Sequence, residues 1–300
     1  MMRFKQTNMI NLYYDRIIDG VVIPNGIPES FTKYYNPFFN YPLFREEVGF
    51  DQVIFIDKEI KNISPITIFN SDGNEVDACG NGSRCIIALL PLIDSKSKEE
   101  YDKNSKKTIS LKTNNRILTG SLTGKREVQL DMGKPIFDWN KIPLSKKINP
   151  GKVDLEIDGE KFNFGFCVNV GNPHIIFFNV FNENFDNYFN NLENIGPKIE
   201  NHELFPEKVN VTFASIVSKE HIAVRVWERG AGLTKACGTA ACATAVAAYE
   251  LKLVKKTVTV DFYKNTKENR GLYINILPEL ENKILMEGPT SGPSKIQLEV

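Results

Sequence analysis

The sequence has no surplus of charge. Its 37 lysines and arginines meet 37 aspartates and glutamates, and the two signs alternate along the chain. Nucleic acid and anionic membrane surfaces need a concentrated basic face, so neither is expected as a partner and a small molecule is. Long apolar runs are also missing. No stretch approaches the ~18 residues of a spanning helix, and the opening Met1-Met2-Arg3-Phe4-Lys5-Gln6 has no apolar signal core. The expectation is a cytoplasmic chain with no membrane contact. Cysteine is scarce, with five residues and no Cys-x-x-Cys spacing. An odd number over a large chain argues for free thiols in a reducing compartment rather than a disulfide framework or a zinc ribbon. There is no Gly-x-Gly-x-x-Gly, no Walker-type loop and no His-x-x-x-His pair, so no cofactor and no metal are expected.

What is present is enough apolar residue, 42% of 300, for one large or two medium cores. Short β-rich runs fall at 52–56, 65–69, 108–113, 116–123, 127–132, 161–170, 175–180, 210–217, 222–227, 257–263, 271–277 and 283–287. Two runs read as helices, 80–90 and 238–253. Both are apolar around most of their circumference, as a helix surrounded by sheet must be. Many strands around one buried helix, twice over, predicts an α+β fold of two similar domains, each a mostly antiparallel curved sheet or barrel around a central helix. The boundary falls near Glu127 to Gly133, with no long linker. Ile93 to Lys107, rich in lysine and serine, reads as a solvated loop or helix end.

Each helix-like run is preceded by a cysteine in similar text: Asp77-Ala78-Cys79-Gly80-Asn81-Gly82 in the first half, Lys235-Ala236-Cys237-Gly238-Thr239-Ala240 in the second. The match extends upstream, since Asn70 lies nine residues before Cys79 and Glu228 nine before Cys237. A thiol at a helix start meets unpaired backbone N–H groups and the positive end of the helix dipole, which favour thiolate. The same N–H groups, at Gly80, Asn81, Gly82, Gly238 and Thr239, can hold a carboxylate. An α-amino acid whose carboxylate caps these helices and whose Cα lies between two sulfurs would lose a proton to one thiolate and gain one from the opposing thiol, with inversion. Cys85 and Cys242, inside apolar helix faces, and Cys167, in a strand, read as core; His202 and His221 read as surface.

These residues resemble the diaminopimelate epimerase family, pyridoxal-independent enzymes that interconvert LL- and meso-2,6-diaminopimelate on the way to lysine. The likeness runs through Asp51-Gln52, Phe69-Asn70 to Cys85, Gly171-Asn172-Pro173-His174, Pro206 to Phe213, Glu228-Arg229-Gly230-Ala231-Gly232 to Cys242, and Gly288-Pro289. It implies that Cys79 and Cys237 exchange roles as proton donor and acceptor and that His174 and Glu228 tune their pKa values. It further implies that Asn11, Gln52, Asn70, Asn172, Asn210, Glu228 and Arg229 bind substrate, and that Gly80, Asn81, Gly238 and Thr239 cradle its carboxylate. The active site would lie between a first domain of residues 1–128 plus about 290–300 and a second of 129–289. A homodimer is compatible with the sequence. One block departs from the family: the usual Gly-x-Gly-Asn-Asp-Phe reads Asn8-Met9-Ile10-Asn11-Leu12-Tyr13. Two alternatives are another cofactor-independent racemase, acting on proline, hydroxyproline or histidine, and a degenerate homologue that binds an amino acid without turning it over. Against the first, proline enzymes tend toward Cys-Gly-His where this chain has Cys79-Gly80-Asn81.

Overall fold

The computed structural model describes residues 9–15, 20–24, 52–56, 63–70, 75–76, 80–113, 117–124, 126–263, 271–290 and 294–299. The chain divides into two compact units, one of residues 1–130 with 289–300 and one of 131–288.

The first unit contains β1 (Met9–Asp15), β2 (Gly20–Pro24), β3 (Gln52–Ile56), β4 (Ile63–Asn70), β5 (Glu75–Val76), α1 (Gly80–Ile93), α2 (Lys98–Asn104), β6 (Ile109–Lys112), β7 (Ile117–Leu122), most of β8 (Glu127–Gly133) and the final strand, Ser294–Glu299. The final strand pairs antiparallel with β1. Helix α1 is buried without a break from Gly82 to Pro91, consistent with its apolar circumference. It packs on β7, where a Cβ on Gly120 would fall 2.6 Å from Ile87 Cδ1 and 2.5 Å from the Gln129 carbonyl. Glycine is needed there for close approach rather than for its φ. Helix α2 lies inside 93–107, which the sequence reads as a solvated loop or helix end. Ser97 accepts from the Glu100 amide at its N-cap, Glu99 and Glu100 sit in its first turn and Lys103 in its last, so local capping makes a helix with no buried face.

The second unit contains β9 (Val153–Ile157), β10 (Glu160–Asn169), β11 (Pro173–Phe178), α3 (Phe185–Asn190), α4 (Leu192–Glu200), β12 (Asn210–Ser218), β13 (His221–Glu228), β14 (Gly232–Thr234), α5 (Gly238–Glu250), β15 (Thr257–Phe262), β16 (Leu272–Leu277) and β17 (Lys283–Pro289). All six residues of β11 are buried, because both faces of the sheet are covered. Alternation assigns the faces. Ile175, Phe177, Val211 and Phe213 join Phe162, Phe185, Tyr188, Phe189, Leu192 and Ile199 in one core beneath α3 and α4, with Phe177 and Phe213 stacked at 5.1 Å. The intervening residues, among them His174, Asn210 and Thr212, take the other face, against which α5 packs. Helix α5 is buried from Gly238 to Ala248 and carries nothing larger than valine along that length, so strands approach it from several sides.

The two units repeat one strand plan. In the first, β1–β2 is antiparallel, β2–β3 parallel, β3–β4 and β4–β5 antiparallel, β4–β6 parallel and β6–β7 antiparallel. In the second, β10–β11, β11–β12, β12–β13, β13–β14, β13–β15 and β15–β16 follow the same sequence of directions. Helix α1 falls between β5 and β6 as α5 falls between β14 and β15. The fold is α+β, as the sequence predicts. We expect Gly120→Ala to destabilise the protein by about 1–3 kcal/mol, the usual range for overpacking, measured by urea unfolding.

Candidate active site

Cys237 is the N-cap of α5, in extended backbone at φ −139° and ψ 112°. Its carbonyl accepts the first helical bond, from the Ala241 amide at 3.0 Å, and its side chain is buried. A thiol in this place is pulled both ways. Burial pushes its pKa up, and the Glu228 carboxylate pushes it further by charge and by accepting from the S–H; the Thr239 hydroxyl and the Ala240 amide pull it down. The upward causes win. The Thr239 oxygen stands 3.4 Å from the sulfur. The helix-dipole argument drawn from sequence is therefore outweighed here by desolvation and a neighbouring acid, which together favour the protonated thiol.

Strand alternation brings Glu228 to this thiol. Along the end of β13, Val224 and Val226 are buried, Trp227 packs on the core beneath α4, and Glu228, one residue on, takes the α5 face. The chain then turns within the Arg-Gly-Ala text: the Ala231 amide donates to the Glu228 carbonyl at 3.0 Å, and Glu228 pairs with Gly232 across β13–β14. Gly230 and Gly232 have φ of 76° and 85°, left-handed backbone that glycine takes without strain. Two buried side chains fix the turn. Asn210 Oδ1 accepts from the Arg229 amide at 3.0 Å and Glu200 Oε1 from the Gly230 amide at 3.0 Å.

His174 and Asn210 are register partners on the parallel strands β11 and β12. Asn210 Nδ2 donates to the Pro173 carbonyl at 2.8 Å, so this buried amide ties the end of β11 to the end of β13. It retains one N–H for a ligand. His174 is fully buried. Its Nε2 lies 2.8 Å from Asn172 Oδ1, which can only accept there, so Nε2 carries the proton and Nδ1 presents a bare lone pair. Burial and then the positive charge of Arg229 lower its pKa to about 3, which keeps the ring neutral at any physiological pH. Arg229 itself is exposed, with Nη1 donating to the Glu207 carbonyl at 2.9 Å; its remaining donors are open to an anionic ligand.

In this way Cys237, Gly238, Thr239, Glu228, Arg229, Asn210, His174 and Asn172 are gathered at the strand ends beside the start of α5. In the first unit, Gln52 opens β3 and Asn70 closes β4, and the two are direct cross-strand partners. Their places in the repeated plan are those of Asn210, which opens β12, and Glu228, which closes β13. Gly80 and Asn81 are the first residues of α1; Asn11 lies within β1 opposite Gln297. Cys79 lies outside the described residues. Cys85, Cys167 and Cys242 are buried, and burial pushes the Cys167 thiol far up. His202 accepts from the Leu204 amide through Nδ1, and His221 meets Asp261 at 2.7 Å. Sequence reasoning passed over Glu200 and Trp227, whose link spans 27 residues and leaves no local pattern. Among the described residues no group of three or more His, Cys, Asp or Glu is placed to hold a metal ion, and no helix is long and apolar enough to cross a membrane.

A hydroxyproline epimerase from Agrobacterium vitis superposes with a TM-score of 0.66 at 13% identity, covering 100% of this chain and 94% of that one, so the two share an α+β fold. Sequence comparison is more specific. The family model described as diaminopimelate epimerase matches residues 166–270. A diaminopimelate epimerase of Pelagibacter ubique is 44% identical over 259 residues, 85% of this chain and 86% of that protein. One from Wolbachia sp. subsp. Brugia malayi is 41% identical over 210 residues, 70% and 74%. The chain belongs to the diaminopimelate epimerase family, and by that membership it is an isomerase.

The buried imidazole makes a stability prediction. Its pKa falls from 6.5 in the ordinary state to about 3 in the fold, so between those values the unfolded chain binds a proton that the folded chain refuses. Stability present above pH 6.5 is then lost as pH falls toward 3, at about 1.4 kcal/mol per unit. Measured by urea unfolding at about pH 7.5 and pH 5, the wild type should lose about 2 kcal/mol more than His174→Gln does.

Proposed function

We propose that this chain epimerises LL-2,6-diaminopimelate to meso-diaminopimelate in the cytoplasm, as a step toward lysine, by two-base proton transfer at Cα. The observation that carries the reading is the buried thiol of Cys237 capping the start of α5, with the Glu228 charge acting on it to raise its pKa. A resting thiol is ready to give a proton. To take one, it first passes its own to Glu228, and the thiolate so formed removes the Cα proton of the substrate. On the opposite face the Cys79 thiol delivers a proton; Cys79 precedes α1 in sequence as Cys237 precedes α5. One C–H bond breaks and one forms, with no change of oxidation state. The reverse reaction exchanges the two roles.

Charge developing at Cα spreads into the substrate carboxylate. The amides of Gly238 and Thr239, and of Gly80 and Asn81, belong to first helical turns that have no partner within the helix, and they would stabilise that charge without reorganising. Arg229 would meet a carboxylate, Asn70, Asn172, Asn210, Gln52 and Asn11 would supply the neutral contacts, and His174 would act as an uncharged acceptor through Nδ1. A 37–44% likeness over most of the chain to proteins named diaminopimelate epimerase supports this substrate over the proline-type alternatives.

The test is deuterium incorporation at Cα of LL-diaminopimelate in D2O, beside proline, hydroxyproline and histidine. Wild type should label and epimerise diaminopimelate alone, and Cys79→Ala or Cys237→Ala should lower kcat by about 10²- to 10⁴-fold. Either variant running at the wild-type rate would sink the mechanism; labelling of another amino acid instead would replace the substrate. The acid beside the thiol gives a separate expectation. Because the Glu228 charge raises the thiol pKa, Glu228→Gln should move the pH midpoint for alkylation of Cys237 by iodoacetamide downward, read by mass spectrometry.

A further inference from the structure

The carboxylate of Glu200, the last residue of α4, is buried although nothing in the proposed chemistry uses it. Both of its oxygens are engaged. Oε2 accepts from Trp227 Nε1 at 2.7 Å and Oε1 from the Gly230 amide at 3.0 Å. Those donors flank Glu228 and Arg229 in sequence, one before the pair and one after. Because alternation turns Trp227 and Glu228 to opposite faces, a group that fixes the indole on the α4 side fixes the direction of the acid on the α5 side. Lys208 Nζ, 3.8 Å from Oε1 and half-exposed, is the cation that faces this carboxylate.

Packing restrains the indole as well. A Cβ on Gly196 would lie 2.5 Å from Trp227 Cγ, and one on Gly232 would meet the far edge of the ring at 3.6 Å. The ring is thus pressed against the backbone of α4 with its N–H directed at Glu200. Asn210 holds the Arg229 amide from the β12 side, so two consecutive backbone amides of the turn are held from two different elements, one by a neutral amide and one by a carboxylate. A charge-assisted bond is roughly twice as strong as a neutral one and shorter. The carboxylate is therefore the firmer of the two anchors.

We infer that Glu200 is a positioning residue for the epimerase site: through Trp227 and Gly230 it sets where Glu228 stands relative to Cys237, and so how readily that thiol yields its proton. The inference rests on the proposed function only for its consequence in turnover. Its consequence for the thiol is open to measurement without substrate.

Glu200→Gln is the direct probe. An amide of the same size can accept at one oxygen but presents N–H to the other donor, so one of the two bonds is lost. We expect kcat on LL-diaminopimelate to fall by up to about 100-fold, the scale of a 1 Å misplacement, with KM changing less than kcat. We also expect the pH midpoint for Cys237 alkylation to move down, in the direction given by Glu228→Gln, and the Trp227 emission to shift. Trp227→Phe, which keeps a ring against Gly196 and removes only the N–H, should move the alkylation midpoint the same way by less. The double variant should add little to Glu200→Gln alone. If both single variants fold, judged by circular dichroism, yet keep the wild-type alkylation midpoint, the inference is overturned. Should Glu200→Gln fail to fold, Trp227→Phe decides by the same midpoint. A wild type inactive on diaminopimelate would count against the proposed substrate and leave the alkylation comparison to judge Glu200 by itself.

Discussion

A helix can be surrounded by sheet only if its side chains are small on every side, and α5 meets that condition from Gly238 to Ala248. The strands that pack on it bury their inner residues against alanines, and a second core of phenylalanines closes their outer faces. Two-sided burial leaves polar residues little choice of position. His174, Asn210 and Glu228 all occur at strand ends on the α5 side, where the helix begins and its first amides are free of helical partners. The polar groups of the site are therefore the residues left over where two hydrophobic layers stop.

The second unit applies to its thiol forces of opposite sign. A helix start favours thiolate, while burial and a carboxylate favour thiol, and the balance falls toward the protonated form. The repeated strand plan shows that this bias is not built into the fold. Where β13 ends on the acid Glu228, β4 ends on the amide Asn70, and where β11 places His174 against Asn210, β2 places Gly20 against Gln52. The duplication preserves the frame and the strand directions but not the charges.

How much of this could be seen in the sequence follows from the range of each interaction. The two buried helices were legible because their composition is extreme, although α5 ends at Glu250, short of the expected 253, in a turn with Lys252 at φ 59°. Helices α3 and α4 were not. Their text, Phe-Asp-Asn-Tyr-Phe-Asn and Leu-Glu-Asn-Ile-Gly-Pro, is rich in residues that compete for the backbone, and they form because Phe185, Tyr188 and Phe189 pack on Phe213 and its neighbours. Cys237 and Glu228 were legible by their nine-residue spacing, and His174 by its Asn-Pro-His text and the family resemblance. The raised pKa of the thiol was not, because it depends on how deeply Cys237 is buried. Nor was the hold of Glu200 on a turn thirty residues away, since only the folded sheet brings the two together.

Gly196 has a consequence that reaches past the helix it sits in. Because the indole of Trp227 fills the space that a side chain at 196 would occupy, the two positions cannot vary independently: a larger residue at one demands a smaller or displaced one at the other. The pair thus limits together how the turn at Glu228 can vary.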